Sequence, residues 1–270
     1  MRSRIFAIAN QKGGVGKTTT AINLAASLAL GDQTVLLVDM DPQGNLTSGV
    51  GQKGNVAPAG TIYDALTEES TPAVAEYIVS TGVSGLSLLP SDHELVGAEI
   101  ELVNAARREQ RLRLLLDQVR DRYDYILIDT PPSLGLLTLN TLVAADGVII
   151  PVVCEYFALE GLAALTATLK QVKDAFNRSL EISGVVLTMT DLRTNLGKEV
   201  AAEVQGVFGN KVFETTIPRN VRLGEAPGHG VPVILYDVRS KGAEAYLALA
   251  REFLACTRPA PMPAGGVLRG

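Results

Sequence analysis

The segment from Lys12 to Thr19, which reads KGGVGKTT, constrains the fold of this chain more than any other feature. A short apolar run at residues 5–9 precedes it, and residues 19–30 place small and apolar side chains at helical spacing. A glycine-rich turn between a buried strand and a helix points backbone N–H groups and the positive end of the helix dipole at bound phosphates. The segment therefore predicts a P-loop in an α/β protein that binds a nucleoside triphosphate.

The loop departs from the ordinary P-loop motif, G-x-x-x-x-G-K-S/T, at its first position. With Gly16, Lys17 and Thr18 in register, the motif requires a glycine where this chain has Gln11. A second lysine, Lys12, opens the loop instead. This arrangement is the deviant Walker A pattern, and in it the chain resembles the ParA/MinD group of ATPases.

Residue types in the loop indicate how it holds a nucleotide. Glycines allow backbone N–H groups to surround the phosphates, Lys17 neutralises the β- and γ-phosphate oxygens, and the Thr18 hydroxyl is placed to bind Mg²⁺. With the resemblance to ATPases, the expected ligands are ATP and Mg²⁺. The nucleotide-binding residues predicted in the loop are Lys12, Gly13, Gly14, Val15, Gly16, Lys17, Thr18 and Thr19.

Three aspartates lie at the ends of predicted strands. Asp39 and Asp41 come at the end of the strand predicted over residues 34–39, and Asp129 ends the strand predicted over residues 125–129. Ligands of parallel sheets bind beyond the carboxyl ends of the strands, so acids there meet a cation or act on water. Capping of a loop or helix is the alternative role for each acid taken alone. Together with the P-loop they favour a nucleotide site, with Asp129 as the Walker B acid.

The resemblance to the ParA/MinD group implies a role for each acid and for the additional lysine. Asp129 holds Mg²⁺ through water, and Asp39 makes a supporting Mg²⁺ contact or a switch contact. Asp41 positions or polarises the attacking water. Lys12 reaches across a nucleotide-sandwich dimer to the partner's phosphates, a function that an arginine finger has elsewhere. The catalytic residues implied are Lys12, Lys17 and Asp41, and the metal-binding residues are Thr18, Asp129 and Asp39.

Two later segments resemble the chromosomal ParA/Soj branch of that group. Residues 151–161 read PVVCEYFALEG, and residues 217–227 read IPRNVRLGEAP. The resemblance implies that the second segment contributes a turn against the adenine ring and that Glu155, in the first, approaches the dimer face. The residues assigned to the adenine turn are Pro218, Arg219 and Asn220.

Apolar runs alternate with helical patterns along the rest of the chain. Strands are predicted at residues 34–39, 86–89, 125–129, 147–152, 182–190 and 212–214, and helices at 98–104, 109–120, 136–144, 159–176, 197–208 and 242–255. This pattern predicts a doubly wound α/β fold, with a mostly parallel central sheet between helices on both faces. Residues 1–256 are expected to form a single ATPase domain, and the Pro- and Gly-rich residues 257–270 a disordered tail.

Charge and cysteine content limit the function classes. With 24 basic and 29 acidic residues the net charge is −5, so any DNA-binding surface must be local. Two cysteines and two histidines provide little material for a transition-metal site. The resemblance implies a basic patch that grips DNA phosphates without reading sequence, and it selects Arg193 and Arg222. Weaker candidates for the patch are Lys198, Arg239 and Lys241. Each of them could equally well be an ordinary solvated charge on the surface.

The function that the resemblance implies is that of a partition ATPase. Such a protein forms an ATP-dependent homodimer that binds double-stranded DNA non-specifically. Hydrolysis stimulated by a ParB-type centromere-binding protein then releases it from DNA. We therefore expect a cytoplasmic, nucleoid-associated protein that has no membrane partner.

Three other functions share the predicted fold. A MinD-like membrane-cycling ATPase requires a basic amphipathic C-terminal helix, whereas the end of this chain is rich in Pro and Gly. A nitrogenase-type iron protein requires paired cysteines, a pattern that Cys154 and Cys256 do not match. An ATP-dependent small-molecule ligase, such as dethiobiotin synthetase, has no use for a lysine that acts across a dimer. The first and the third remain the alternatives to partition.

Overall fold

The computed structural model describes residues 3–70, 72–155, 158–191 and 193–257, without the side chains of Ala158 and Glu160. Of the predicted tail, residues 257–270, only Thr257 is described, and it ends the last helix instead of beginning a tail. The other tail residues lie outside the described part of the chain. Within the described residues, no helix has both the length and the apolar character needed to cross a membrane.

One mostly parallel sheet forms the centre of the molecule. Its strands within the described residues are β1 (Arg4–Ile8), β2 (Val35–Asp39), β3 (Val79–Ser80), β4 (Leu86–Leu89), β5 (Tyr125–Asp129), β6 (Gly147–Val153) and β7 (Glu181–Thr188). They are arranged in the order β3-β4-β2-β5-β1-β6-β7. Neighbouring strands are parallel, except that β3 at one edge runs antiparallel to β4.

Helices connect the parallel strands and cover the sheet. The α-helices are α1 (Lys17–Leu30), α2 (Asn45–Gly49), α3 (Ile62–Thr67), α4 (Leu95–Glu101), α5 (Arg111–Asp117), α6 (Leu136–Ala144), α7 (Ala158–Ala175), α8 (Asn195–Phe208), α9 (Val221–Glu225), α10 (Val233–Tyr236) and α11 (Lys241–Thr257). Short 3₁₀ helices lie at Val74–Tyr77, Leu102–Asn104, Arg108–Gln110, Gly209–Lys211 and Ala226–His229.

Alternate residues of the central strands belong to two hydrophobic cores, one on each face of the sheet. In β1, Ile5 and Ala7 lie in one core, and Phe6 and Ile8 lie in the other. Helices α5, α6 and α7 contribute to the first core, whereas α1 and α11 contribute to the second. Because both faces of the sheet are covered, its central strands are mostly apolar, as expected for a parallel sheet, with Asp39 and Asp129 at the ends of β2 and β5. The predicted doubly wound α/β fold is confirmed.

The strand predicted at residues 212–214 is wrong. Val212 forms only an isolated bridge with Val185 of β7. The Phe213 amide donates to the Val185 carbonyl at 2.9 Å, but the amides of Glu214 and Thr215 donate to the Glu252 carboxylate of α11 at 2.6 and 2.9 Å. The side chain of another element therefore satisfies donors that a strand would direct to its neighbour.

The strand predicted at residues 182–190 ends at Thr188, before its predicted end. Met189 follows with a φ of +49°, in the left-handed region that strand residues do not adopt. Thr190 returns to extended pairing only as an isolated bridge with Pro218. This break turns the chain at the same edge of the sheet as the P-loop.

Candidate nucleotide-binding site

Parallel pairing brings the predicted loop and acids to one edge of the sheet. Strand β5 lies between β1 and β2, and Asp129 is in register with Ile8 on one side and with Asp39 on the other. The loop that follows Ile8 and the acids that end β2 and β5 therefore meet at the carboxyl ends of three adjacent strands. This is where ligands of open α/β sheets bind.

The P-loop has the backbone conformation that its glycines permit. Gly14 and Gly16 adopt left-handed φ angles of +73° and +87°, and Gly16 is the N-cap of α1. The amide of Thr20 donates to the Gly16 carbonyl at 2.8 Å, and the Thr188 hydroxyl of β7 donates to the Val15 carbonyl at 2.8 Å. Thr188, which no sequence motif identified, thus fixes the loop to a third parallel strand.

Lys17 supplies a mostly buried positive charge beneath the loop. Its side-chain Nζ lies 3.5 Å from the Lys12 carbonyl, and the residue is 7% exposed. Burial lowers the pKa of Lys17, whereas the negative charges of Asp129 and Asp41 act in the opposite direction. A buried cation held by one long backbone contact is suited to receive an anionic ligand.

Asp129 and Thr18 form the most informative contact of the site. The Thr18 hydroxyl donates to Oδ2 of Asp129 at 2.6 Å, while Oδ1 is buried and has no hydrogen-bond partner among the described residues. Burial raises the pKa of Asp129 well above its usual value, and the neighbouring charge of Asp39 raises it further. An unsatisfied carboxylate oxygen beside a hydroxyl fits Mg²⁺, which prefers oxygen ligands and obtains others from water and substrate phosphates.

No group of three or more His, Cys, Asp or Glu side chains within the described ranges could hold a metal ion. Of the three predicted metal-binding residues, Thr18 and Asp129 contact each other, and Asp39 is in register with Asp129 on the neighbouring strand. Open coordination of this kind is usual for Mg²⁺ sites that act on nucleotides, because Mg²⁺ keeps several waters and binds the substrate's phosphates. When bound there, the ion would neutralise phosphate charge.

The two acids after β2 have different surroundings. Asp41 lines the cavity in front of the P-loop, and its Oδ1 accepts a hydrogen bond from the Gln43 amide at 3.0 Å. Asp39 is fully buried; its Oδ1 accepts from the Asp41 amide, and its Oδ2 accepts from both the amide and the hydroxyl of Thr47. Burial raises the pKa of Asp39 to about 6 despite these hydrogen bonds. Its oxygens point to protein donors, whereas Asp41 faces the cavity.

Two adjoining cavities lie against the loop, and the larger of the two has the size of a ligand site. The larger, of about 650 Å³, includes Lys17, Thr18 and Asp41 in its lining. The smaller, of about 240 Å³, is lined by the predicted adenine turn. Residues common to both linings are Gly16, Thr19 and Met189. The pair thus offers space for phosphates next to space for a base.

Lys12 lies at the rim and is ion-paired within its own chain. Its Nζ is 2.7 Å from Oε2 of Glu155, and the two side chains are 38% and 53% exposed. The hydrogen bond and charge of Lys12 lower the pKa of Glu155. Asn10, also not identified from the sequence, accepts from the Lys12 amide and donates to the Pro151 carbonyl. Asn10 therefore joins the start of the loop to β6, the strand that precedes Glu155.

The arginines predicted to bind DNA lie outside these cavities and are ion-paired. Arg193, whose side chain is 91% exposed, contacts Asp191 through two nitrogens at 2.8 Å each. Arg222, in α9, contacts Glu225 at 2.7 Å and Asp237 at 3.3 Å. A DNA phosphate at either position would have to compete with a carboxylate.

Comparisons with known proteins decide the family. The AAA domain family model matches residues 3–182. The sporulation initiation inhibitor protein Soj of Bacillus subtilis is 55% identical over 253 residues, which is 93% of this chain and 98% of that protein. This chain belongs to the ParA/Soj family of partition ATPases. The chromosome partitioning protein ParA of Myxococcus xanthus is likewise 55% identical, over 93% of this chain and 88% of its own length.

A solved structure supports the fold and the class of ligand. Cobyrinic acid a,c-diamide synthase from Mycobacterium smegmatis, crystallised with an ATP analogue and magnesium, superposes with a TM-score of 0.79. It is 36% identical to this ParA/Soj family member, with 92% of this chain and 93% of that chain covered. Its name describes small-molecule chemistry, so likeness of fold alone does not separate that chemistry from partition. The higher identity to Soj and ParA assigns the chain to their family.

We predict that Asp129→Asn weakens the dependence of ATP affinity on Mg²⁺. The amide keeps the shape of the side chain and an oxygen for Thr18, but it removes the charge beside the unsatisfied position. The gain in ATP affinity on adding Mg²⁺ should fall by about 10- to 100-fold, the usual cost of losing a partner of a metal site. Titration of a fluorescent ATP analogue with Mg²⁺ and with a chelator measures this gain.

Asp124→Asn is the matched control, since Asp124 is a hydrogen-bonded but exposed carboxylate just before the other end of β5. It should retain the full effect of Mg²⁺. An equal effect of Mg²⁺ on the wild type and on Asp129→Asn would contradict the assignment of the ion to Asp129.

Proposed function

We propose that this ParA/Soj family member binds ATP with Mg²⁺, forms a nucleotide-sandwich dimer, and in that state binds double-stranded DNA without sequence preference. Hydrolysis of ATP then releases the protein from DNA. The observation that carries the proposal is the presence of two lysines with separate placements. Lys17 lies beneath the loop, whereas Lys12 stands at the exposed rim. The 55% identity to chromosome partitioning proteins supports the same function.

ATP occupies the two adjoining cavities in this proposal. Its phosphates lie in the larger one, where the loop amides and Lys17 bind the β- and γ-phosphate oxygens. Thr18 and Asp129 hold Mg²⁺ beside them, directly and through water. The base lies in the smaller cavity against the turn formed by Pro218, Arg219 and Asn220.

Asp41 is the acid that positions the attacking water. One of its oxygens is held by the Gln43 amide, and the residue faces the larger cavity. The water oxygen forms a bond to the γ-phosphorus while the bond to the bridging oxygen of ADP breaks. Negative charge on the transferred group is stabilised by Lys17 from the same subunit and Lys12 from the partner, in the manner of an arginine finger.

Dimerisation exchanges one ionic contact of Lys12 for another. In the single chain its ammonium group is paired with Glu155, which a partner's phosphates must replace. A Cβ added at Gly13 or Gly14 would meet no atom of the described residues within 4 Å, so this part of the chain leaves open space in front of the loop. An opposing subunit can enter that space. The γ-phosphate adds the charge that makes the exchange favourable, so dimerisation depends on the triphosphate.

We predict that Lys12→Ala binds ATP as a monomer and does not dimerise. The cis contacts of Lys17 and Thr18 remain, while the charge that acts across the dimer is lost. Sedimentation of the protein with a slowly hydrolysed ATP analogue, together with an ATP-binding titration, separates the two effects.

Glu155→Gln is the paired variant, because it breaks the same ion pair from the other side and leaves Lys12 in place. It should dimerise at least as strongly as the wild type. Dimerisation of Lys12→Ala at wild-type protein concentrations would remove the lysine from its proposed role.

DNA binding depends on a local patch that dimerisation doubles. A chain of net charge −5 does not attract DNA over its whole surface, so its contacts come from few side chains. Arg193 and Arg222 are the proposed contacts, and two copies in one dimer engage the same duplex with a raised effective concentration. The affinity for DNA therefore depends on the bound nucleotide through dimerisation alone, although the residues within each patch keep the same arrangement.

We predict that Arg222→Ala weakens DNA binding by the ATP-bound dimer and lowers its salt dependence. Two copies per dimer would remove about two phosphate contacts, so the slope of log K against log salt concentration should become less steep by about 2. Fluorescence anisotropy with a duplex of arbitrary sequence, over a salt series, measures both quantities. Arg251→Ala, at an exposed position on α11, is the control and should match the wild type. An unchanged slope in Arg222→Ala would place the patch elsewhere.

The partner proposed is a ParB-type centromere-binding protein, which stimulates ATP hydrolysis. The location proposed for this ParA/Soj family member is the nucleoid, in the cytoplasm.

The second candidate function is ATP-dependent modification of a small molecule. It is favoured by the likeness to the cobyrinic acid a,c-diamide synthase structure, at 36% identity. Stimulation of ATP turnover by a small carboxylic acid, with no effect of DNA or a ParB-type protein, would support that function instead.

A further inference from the structure

A closed ring of buried hydrogen bonds surrounds the backbone of Asp41. The Asp41 amide donates to Oδ1 of Asp39 at 3.1 Å, and the Thr47 hydroxyl donates to Oδ2 of Asp39 at 2.7 Å. That hydroxyl accepts from the Ser91 amide at 3.0 Å. The Ser91 hydroxyl donates to the Asp41 carbonyl at 2.9 Å and closes the ring. The backbone N–H and C=O groups of Asp41 therefore both form hydrogen bonds within this ring.

The ring joins two consecutive elements of the chain to a third that is distant in sequence. Asp39 ends β2, Thr47 lies in α2, and Ser91 follows β4. All four residues of the ring are buried, and the most exposed of them, Asp41, is 8% exposed. Strand β4 does not line either cavity, yet through Ser91 it reaches the acid that does.

The loop that carries Asp41 is also held by two of its own amides. The Gly44 amide donates to the Asp41 carbonyl at 2.9 Å, and the Gln43 amide donates to Oδ1 of Asp41 at 3.0 Å, so the ring supplies the contacts that reach outside the loop. After β2 the chain leaves the sheet, and Gly44 turns it with a φ of +59° directly against Ser91, where an added Cβ would lie 3.2 Å from the Ser91 carbonyl. Regular secondary structure resumes only at α2. Irregular backbone takes its conformation from specific hydrogen bonds, so loss of one bond moves the groups that it held.

We propose that Ser91 and Thr47 are positioning residues for ATP hydrolysis, which hold the backbone of Asp41 so that its carboxylate faces the nucleotide cavity. The inference rests on the proposed role of Asp41 and extends it to side chains that do not touch the nucleotide. Asp39 belongs to the same ring, and its oxygens serve protein donors in place of Mg²⁺.

Loss of the ring affects hydrolysis more than nucleotide binding. The P-loop amides, Lys17, Thr18 and Asp129 make no hydrogen bond to the ring, so ATP affinity is retained. The carboxylate of Asp41 loses its alignment with the attacking water, and small displacements of a catalytic group lower the rate strongly. A fall in kcat at nearly constant KM is therefore the signature of a positioning role.

Ser91→Ala is the central variant. We expect its kcat to fall about tenfold, the rate equivalent of one hydrogen bond, and its KM for ATP to change by less than about twofold. Ser91→Cys, which keeps the shape but donates weakly, should show the same direction if Ser91→Ala does not fold. Ser87→Ala, in β4 but outside the ring, is the matched control and should match the wild type.

Thr47 provides a test by conservative rescue. Thr47→Val removes the hydroxyl that joins Asp39 to Ser91 and should lower kcat at least as much as Ser91→Ala. Thr47→Ser keeps the hydroxyl and should restore most of the rate. A purely structural role of the Thr47 methyl group would give the opposite order.

The double variant of Ser91→Ala with Asp41→Asn isolates the proposed pathway. With the carboxylate already neutralised, loss of the Ser91 hydroxyl should cause no further fall in kcat. An unchanged kcat in Ser91→Ala, or the same fold loss in the Asp41→Asn background, would overturn the inference while leaving the partition function intact. Wild-type hydrolysis by Asp41→Asn alone would instead show that the proposed role of Asp41 is wrong, and the inference would fall with it.

Discussion

Two buried aspartates, Asp39 and Asp129, lie on paired residues of the adjacent strands β2 and β5. The charge of these two carboxylates is the constraint on which the candidate nucleotide site at this edge of the sheet depends. Asp39 and Asp129 are both fully buried and in register, so each raises the cost of ionising the other. Asp39 is compensated by donors from Thr47 and Asp41, whereas Asp129 receives one hydrogen bond and keeps an oxygen that has no partner among the described residues. The protein alone therefore satisfies one acid, and in the proposed function a cation bound with the nucleotide's phosphates satisfies the other.

The two lysines of the P-loop, Lys12 and Lys17, have different surroundings at this edge of the sheet. Lys17 shares the buried space of the acids, which links the phosphate site electrostatically to Asp129. Lys12 instead pairs with Glu155 at the surface, where an exposed ion pair contributes little to stability and is readily exchanged. An exposed, replaceable contact suits the role proposed for Lys12, in which its ammonium group contacts the nucleotide of a partner subunit.

The sequence predicted those features of the fold whose residues are contiguous in the chain. The P-loop, the apolar strands and Asp129 were found from the sequence because glycines, strand composition and strand-end acids are contiguous signals. The strand predicted at residues 212–214 does not form, because pairing with β7 stops after Phe213 and the Glu252 carboxylate of α11 accepts from the amides of Glu214 and Thr215. The ring around Asp41 left no signal, since Thr47 and Ser91 meet only through the folding of β2 beside β4.

Binding to a duplex of arbitrary sequence tests the proposed function most directly. The protein should be measured with no nucleotide, with ADP, with ATP and with a slowly hydrolysed ATP analogue, each over a salt series. We expect tight, salt-sensitive binding only with the triphosphates, and most persistently with the analogue. Equal binding in all four states, or none in any, would contradict a nucleotide-gated DNA-binding dimer.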